Sequence, residues 1–72
     1  MAKDEKRLNR IKNRTKNVTL REFEALINAY GYIEEGGRHP KAIVGKHTMP
    51  YKRENPVKSC NVRELIGIIE SL

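Results

Sequence analysis

Four of the five glycines in this 72-residue chain fall between positions 31 and 45, a spacing that leaves room only for short strands joined by tight turns. Gly36-Gly37 is a strong turn signal and Gly45-Lys46 is a second. Around them lie Tyr32 to Glu35, then Lys41 to Val44 with its extended-favouring Ile43 and Val44, then His47 to Tyr51. Strands connected this closely can form only an antiparallel meander, because parallel neighbours need a long crossover. One face of so small a sheet must be covered by something else.

The cover is supplied by helices. Thr19 followed by Glu22 has the spacing of a capping box, with Val18 placed as its staple, so a helix is expected from Leu20. Leu20, Phe23, Leu26, Ile27 and Tyr30 then recur at three- and four-residue steps, and Gly31 is the residue suited to a left-handed C-terminal position. Asn61 and Glu64 repeat the capping spacing ahead of an apolar stripe of Val62, Leu65, Ile66, Ile69 and Leu72. Residues 3 to 14 are also good helix formers, with Asp4 and Glu5 early and Arg or Lys late, the order that suits a helix dipole. Only Leu8 and Ile11 are apolar there, so this helix must lean on the rest of the chain. Lys52 to Ser59, with Pro56, reads as a loop. The expected fold is therefore a two-layer α+β domain over residues 19–72, a three-stranded antiparallel sheet packed on two helices, with residues 1–18 as a basic helical extension. The central αβββα order is that of the double-stranded RNA-binding fold, although a fold alone assigns no function.

Charge narrows the partner. The net charge is +6, and it is unevenly placed: residues 1–20 hold seven Lys or Arg against Asp4 and Glu5, whereas the remainder holds eight against seven. An acidic partner is expected, nucleic acid first. A lone cysteine, Cys60, and the lack of a secretory pattern point to the cytoplasm, and no apolar run approaches the roughly 20 residues that span a bilayer. A phosphate-binding Gly-rich loop, a serine nucleophile motif and metal-ligand spacing are all missing, since His39, His47 and Cys60 do not have the spacing of a zinc site. No cofactor or metal is expected.

At this point the chain resembles the HicA family of toxin-antitoxin ribonucleases over about residues 15 to 72. Asn17-Val18-Thr19-Leu20, then Phe23, Leu26, Ile27 and Tyr30-Gly31-Tyr32, is similar to that family's opening helix and its Gly-aromatic ending. Gly37-Arg38-His39 stands where the family carries Gly-Ser-His, and Thr48-Met49-Pro50 with Lys52 and Arg53 resembles its third strand and apolar-Pro-basic ending. Lys3 to Arg14 looks like the extra basic helix of a longer variety. Two positions depart from the pattern: Arg38 replaces a small polar residue, and Ala42 replaces an aromatic. Pro40 is also unusual inside a strand and suits an edge or bulge.

The resemblance implies a metal-independent endoribonuclease acting on mRNA, in which the ribose 2′-hydroxyl attacks the adjacent phosphate, and a HicB-type antitoxin partner that silences it. His39 is then the catalytic residue, since an unperturbed imidazole titrates near pH 6.5 and positioned proton transfer contributes roughly 100- to 10,000-fold. Arg38, Lys41 and Lys46 lie close in sequence and suit phosphate oxygens; Lys52 and Arg53 extend the RNA-binding set, and the Gly36-Gly37 turn lets RNA approach. His47 is a candidate acid partner, and Tyr32 and Tyr51 are candidate stacking platforms. The bland readings are an exposed loop histidine, a filler His47, tyrosines packed at the sheet edge and a solvated basic helix. The competing functions are a non-catalytic RNA-binding module of the same fold, and an adaptor that pairs a sheet edge with a partner strand.

Overall fold

The computed structural model describes residues 5–72, so Lys3 and Asp4 of the expected first helix lie outside the described residues. Helix α1 spans Glu5–Lys12 and α2 spans Leu20–Tyr30; strands β1 (Tyr32–Glu34), β2 (Lys41–Val44) and β3 (His47–Pro50) follow, and α3 covers Ser59–Glu70. The strands form one antiparallel meander in the order β1-β2-β3. The described residues form a small α+β fold of three helices and a three-stranded sheet.

Local chemistry explains where α2 begins. Thr19 is extended, its Oγ1 accepts from the Glu22 N–H at 3.1 Å, and Glu22 Oε1 accepts from the Thr19 N–H at 3.1 Å, which completes the capping box. A third N–H of that helix end, from Leu20, donates to Asn55 Oδ1 at 2.6 Å. The Val57 N–H donates to the Val18 carbonyl at 2.9 Å. These last two bonds stitch the loop of residues 51–58 across the start of α2.

Three expectations are corrected. Gly31 is not left-handed: its φ of −166° is extended backbone, and what demands glycine is that a Cβ would lie 1.9 Å from the Ile43 carbonyl oxygen. Helix α3 starts two residues before Asn61, with Lys58 at the cap position and no side-chain cap bond, so Asn61 sits inside the first turn. The apolar stripe also ends early. The Leu72 N–H reaches the Ile69 carbonyl, three residues back, at 3.2 Å, the helix ends at Glu70, and Leu72 is 64% exposed.

Phe23, Leu26 and Ile27 of α2 and Val62, Leu65, Ile66 and Ile69 of α3 form one core with Ala42, Val44 and Met49 from one face of the sheet. Ile11 and Val18 are fully buried in that same core, and α1 packs on α3, where Lys12 pairs with Glu70. Burying a side chain such as Ile11 contributes roughly 1.5–3 kcal/mol, which is what a helix too short to stand alone requires. On the opposite face of the sheet Tyr32, Ile43 and Thr48 form one cross-strand row, and Glu34, Lys41 and Pro50 form the next.

Candidate functional site

The connection from β1 to β2 carries the Gly37-Arg38-His39 motif. Gly36 and Gly37 have φ of 142° and 70°, values that favour glycine, and a Cβ at either would meet nothing within 4 Å. The glycines are there for backbone conformation rather than for space. They fold the chain so that residues 35–40 line one open depression of about 350 Å³ together with Lys52 and Arg53, its one carboxylate, Glu35, being paired with Arg53. A second depression shares residues 35–39 and adds Glu34, Lys41 and Pro50, so the group continues onto the sheet face opposite the helices, where Glu34 is the cross-strand neighbour of Lys41.

His39 is exposed, and no described group hydrogen-bonds its ring. Arg38, Lys41 and Lys52 are exposed too, and among the described residues none of the three makes an ion pair. Cations left without carboxylate partners next to a solvent-facing imidazole are available to phosphate oxygens.

Arg53 behaves differently from its neighbours. Its Nε donates to Glu24 Oε2 at 2.8 Å, its NH1 donates to Glu35 Oε1 at 3.0 Å, and its NH2 pairs with the other Glu35 oxygen. The guanidinium therefore forks onto Glu35, the residue immediately before the glycine pair, while holding α2 through Glu24. Tyr51 completes the group: its hydroxyl donates to the same Glu24 oxygen at 2.6 Å, and its ring meets Phe23 edge-on with centroids 5.0 Å apart. Burial raises the Glu24 carboxyl, but the hydrogen bonds from Tyr51 and Arg53 and the Arg53 charge outweigh it, so its pKa is lowered. Tyr51 is pushed up, first by burial and then by its bond to Glu24. The hydrogen bonds to Glu35 and then Glu24 raise Arg53 above its ordinary value.

The expected site residues thus divide. His39, Gly37, Arg38, Lys41 and Lys52 come together at one end of the sheet, whereas Arg53 is present but spent on carboxylates. Lys46 does not join them. It lies in the β2–β3 turn, and because Lys41 pairs with Pro50 while Val44 pairs with His47, that turn is at the far end of β2, roughly 15 Å of strand from His39. His47 is at the same far end, so it is no acid partner for His39. Tyr51 is 2% exposed and cannot stack on a base, while Tyr32 is 56% exposed on the outer sheet face. Ala42 points to the helices between Ile33 and Met49, so the missing aromatic alters the core rather than the depression. Pro40 precedes β2, and its carbonyl accepts from the Tyr51 N–H at 3.1 Å, so the absent N–H interrupts no ladder.

Sequence reading missed the Tyr51–Glu24–Arg53–Glu35 network because its members are up to 29 positions apart. The one available signal was an acidic residue, Glu24, on the polar side of α2 facing a basic loop of unknown path. Among the described residues no group of three or more His, Cys, Asp or Glu side chains is placed to hold a metal, and no helix is long and apolar enough to cross a membrane. Comparison of the chain with known protein families, with characterised proteins and with solved structures finds no match.

Proposed function

We propose that this chain is a HicA-type endoribonuclease of double-stranded RNA-binding-like fold, which binds mRNA at the β1–β2 connection and cleaves it with His39 as general base. The observation that carries the reading is an exposed imidazole set beside the unpaired cations Arg38, Lys41 and Lys52 on a glycine-shaped loop. His39 takes the proton of a ribose 2′-hydroxyl, and the 2′-oxygen attacks the adjacent phosphorus. The bond from phosphorus to the leaving 5′-oxygen breaks, a 2′,3′-cyclic phosphate forms, and the 5′-oxygen takes a proton from water, whose hydroxide then recovers the proton held on His39. Arg38 and Lys52 hold the charge that accumulates on the phosphoryl oxygens in between. A HicB-type antitoxin in the cytoplasm would silence the protein by covering this depression.

One observation favours a second reading, RNA binding without cleavage. Among the described residues nothing orients the His39 ring, and activated bases are ordinarily held by a third group. One experiment decides between them. Purified protein is incubated with a mixed-sequence RNA in excess chelator, beside His39→Ala and Arg38→Ala. Cleavage to cyclic-phosphate ends, reduced roughly 100- to 10,000-fold in His39→Ala, supports the enzyme. Intact RNA held in a salt-sensitive complex, weakened in Arg38→Ala and unchanged in His39→Ala, assigns the module instead. Protein that neither cuts nor retains RNA refutes both.

A further inference from the structure

Beyond Lys41, the outer face of the sheet is a feature the cleavage reading leaves unused. Three helices contribute to the core, yet the buried sheet residues Ala42, Val44 and Met49 all belong to one face. On the other face Tyr32 is an exposed large aromatic, flanked across the ladder by Ile43 and then Thr48. Such a ring loses little entropy when a partner covers it, having only two side-chain torsions, and the side chains beside it in the row, Ile43 and Thr48, are smaller than its own. Leu72, the other large exposed apolar residue among the described residues, lies against Gly45, away from the site.

Position ties Tyr32 to the His39 depression. Tyr32 pairs with Ile43, and Lys41, two residues along the same strand and on the same face, lines the depression with residues 36–39. Tyr32 on β1 and Lys41 on β2 are thus diagonal neighbours of the ladder, roughly 7–8 Å apart, a step that one nucleotide of an unstacked strand can cover. The sheet therefore presents a phosphate-seeking ammonium and an aromatic plane in the order in which a polynucleotide presents phosphate and base. A duplex offers no free base plane, because its bases are stacked on one another, and A-form RNA shows proteins mainly its backbone and 2′-hydroxyls. Stacking on aromatic side chains is how single strands are held without sequence reading.

We infer that the helix-free face of the sheet binds single-stranded RNA, one base stacking on Tyr32 and its backbone passing Lys41 into the His39 depression. This inference rests on the RNA reading above and narrows its substrate to unpaired RNA. Tyr32 is thereby a binding residue and takes no part in bond cleavage.

The test uses the full chain and a 2′-O-methyl hexanucleotide, which cannot be cut, either single-stranded or annealed to its complement, with binding followed by fluorescence anisotropy. The single strand is expected to bind at least ten-fold more tightly than the duplex. Loss of one stacked base in Tyr32→Ala should weaken single-strand binding roughly 5- to 150-fold, with Tyr32→Phe close to wild type. An oligonucleotide abasic at the stacked position should erase the difference between Tyr32→Ala and wild type. Because Tyr32 is exposed, the variants should keep the wild-type circular dichroism melt. Equal affinity for the single strand in Tyr32→Ala and wild type overturns the inference while leaving the depression as an RNA site, as does duplex binding equal to single-strand binding. A wild-type protein that binds neither probe, with the Arg38→Ala variant indistinguishable from it, removes the underlying RNA reading as well.

Discussion

Replacing Gly31 separates two physical accounts of the same residue. Were Gly31 needed for a left-handed helix end, alanine would cost about 1 kcal/mol and asparagine, which tolerates that conformation, would cost less. The structure requires something different, because a Cβ at Gly31 falls 1.9 Å from the Ile43 carbonyl oxygen, and that oxygen belongs to backbone. Carbon and carbonyl oxygen approach to about 3.3 Å even in their closest regular contacts, so β2 must retreat by about 1.4 Å. Such a shift strains the β1–β2 ladder, whose hydrogen bonds contribute about 1 kcal/mol each, and adds an overpacking term of about 1–3 kcal/mol. The expected loss is about 3–5 kcal/mol for Gly31→Ala and at least as much for Gly31→Asn. A domain of 72 residues has roughly 4–11 kcal/mol in total. Urea titration reads the effect directly: with a slope of about 1 kcal/mol per molar, the midpoint should fall by about 3 M or the folded baseline should vanish. An alanine variant within 1 kcal/mol of wild type, or an asparagine variant clearly more stable than the alanine one, would refute the reasoning.

Two further outcomes follow from the Arg53 network. Arg53→Ala should change overall stability little, since its ion pairs are exposed, yet NMR order parameters at Gly36 to His39 should fall; Arg53→Lys, lacking the planar fork, should leave them low, and restoration by lysine would contradict the bracing role. Glu24 and Glu22 titrate below their ordinary values in the folded protein, the first through Tyr51 and Arg53 against the effect of burial and the second chiefly through the Thr19 N–H. Their contribution is present above the unfolded value of about 4.3 and is lost as pH falls through the folded values. Tyr51 is raised, so its contribution holds below about 10 and fades as pH rises through its folded value. Melting temperature against pH should therefore drop at both ends, and an acid limb equally steep in Glu24→Gln and wild type would contradict the assignment.

The elements that sequence reading located correctly are those specified by neighbours in the chain. Thr19 and Glu22 are three residues apart, so the cap of α2 was readable, as was the meander from its glycine pairs. Errors arise where a residue answers to a distant partner. Gly31 is fixed by Ile43, Arg53 by Glu24 and Glu35, and Asn55 by Leu20, and none of these distances in space has a counterpart in local pattern. Alternation alone likewise did not separate Tyr32 from Tyr51, because one starts β1 on the outer face and the other follows β3 into the core. His39 was legible as an exposed turn residue. That Lys46 stands away from it became visible only with the register of β2 on β3.

The stitch between the start of α2 and the segment of residues 51–58 also has a temporal side. Synthesis runs from the N-terminus, so Gly36 to His39 are joined to the chain before Arg53, Asn55 and Val57, and the contacts those three make with Glu35, Leu20 and Val18 close only after the loop itself exists. Polypeptide arrested in that interval would carry the exposed imidazole and lack the Arg53 brace, and the later-made residues complete a geometry begun by the earlier ones.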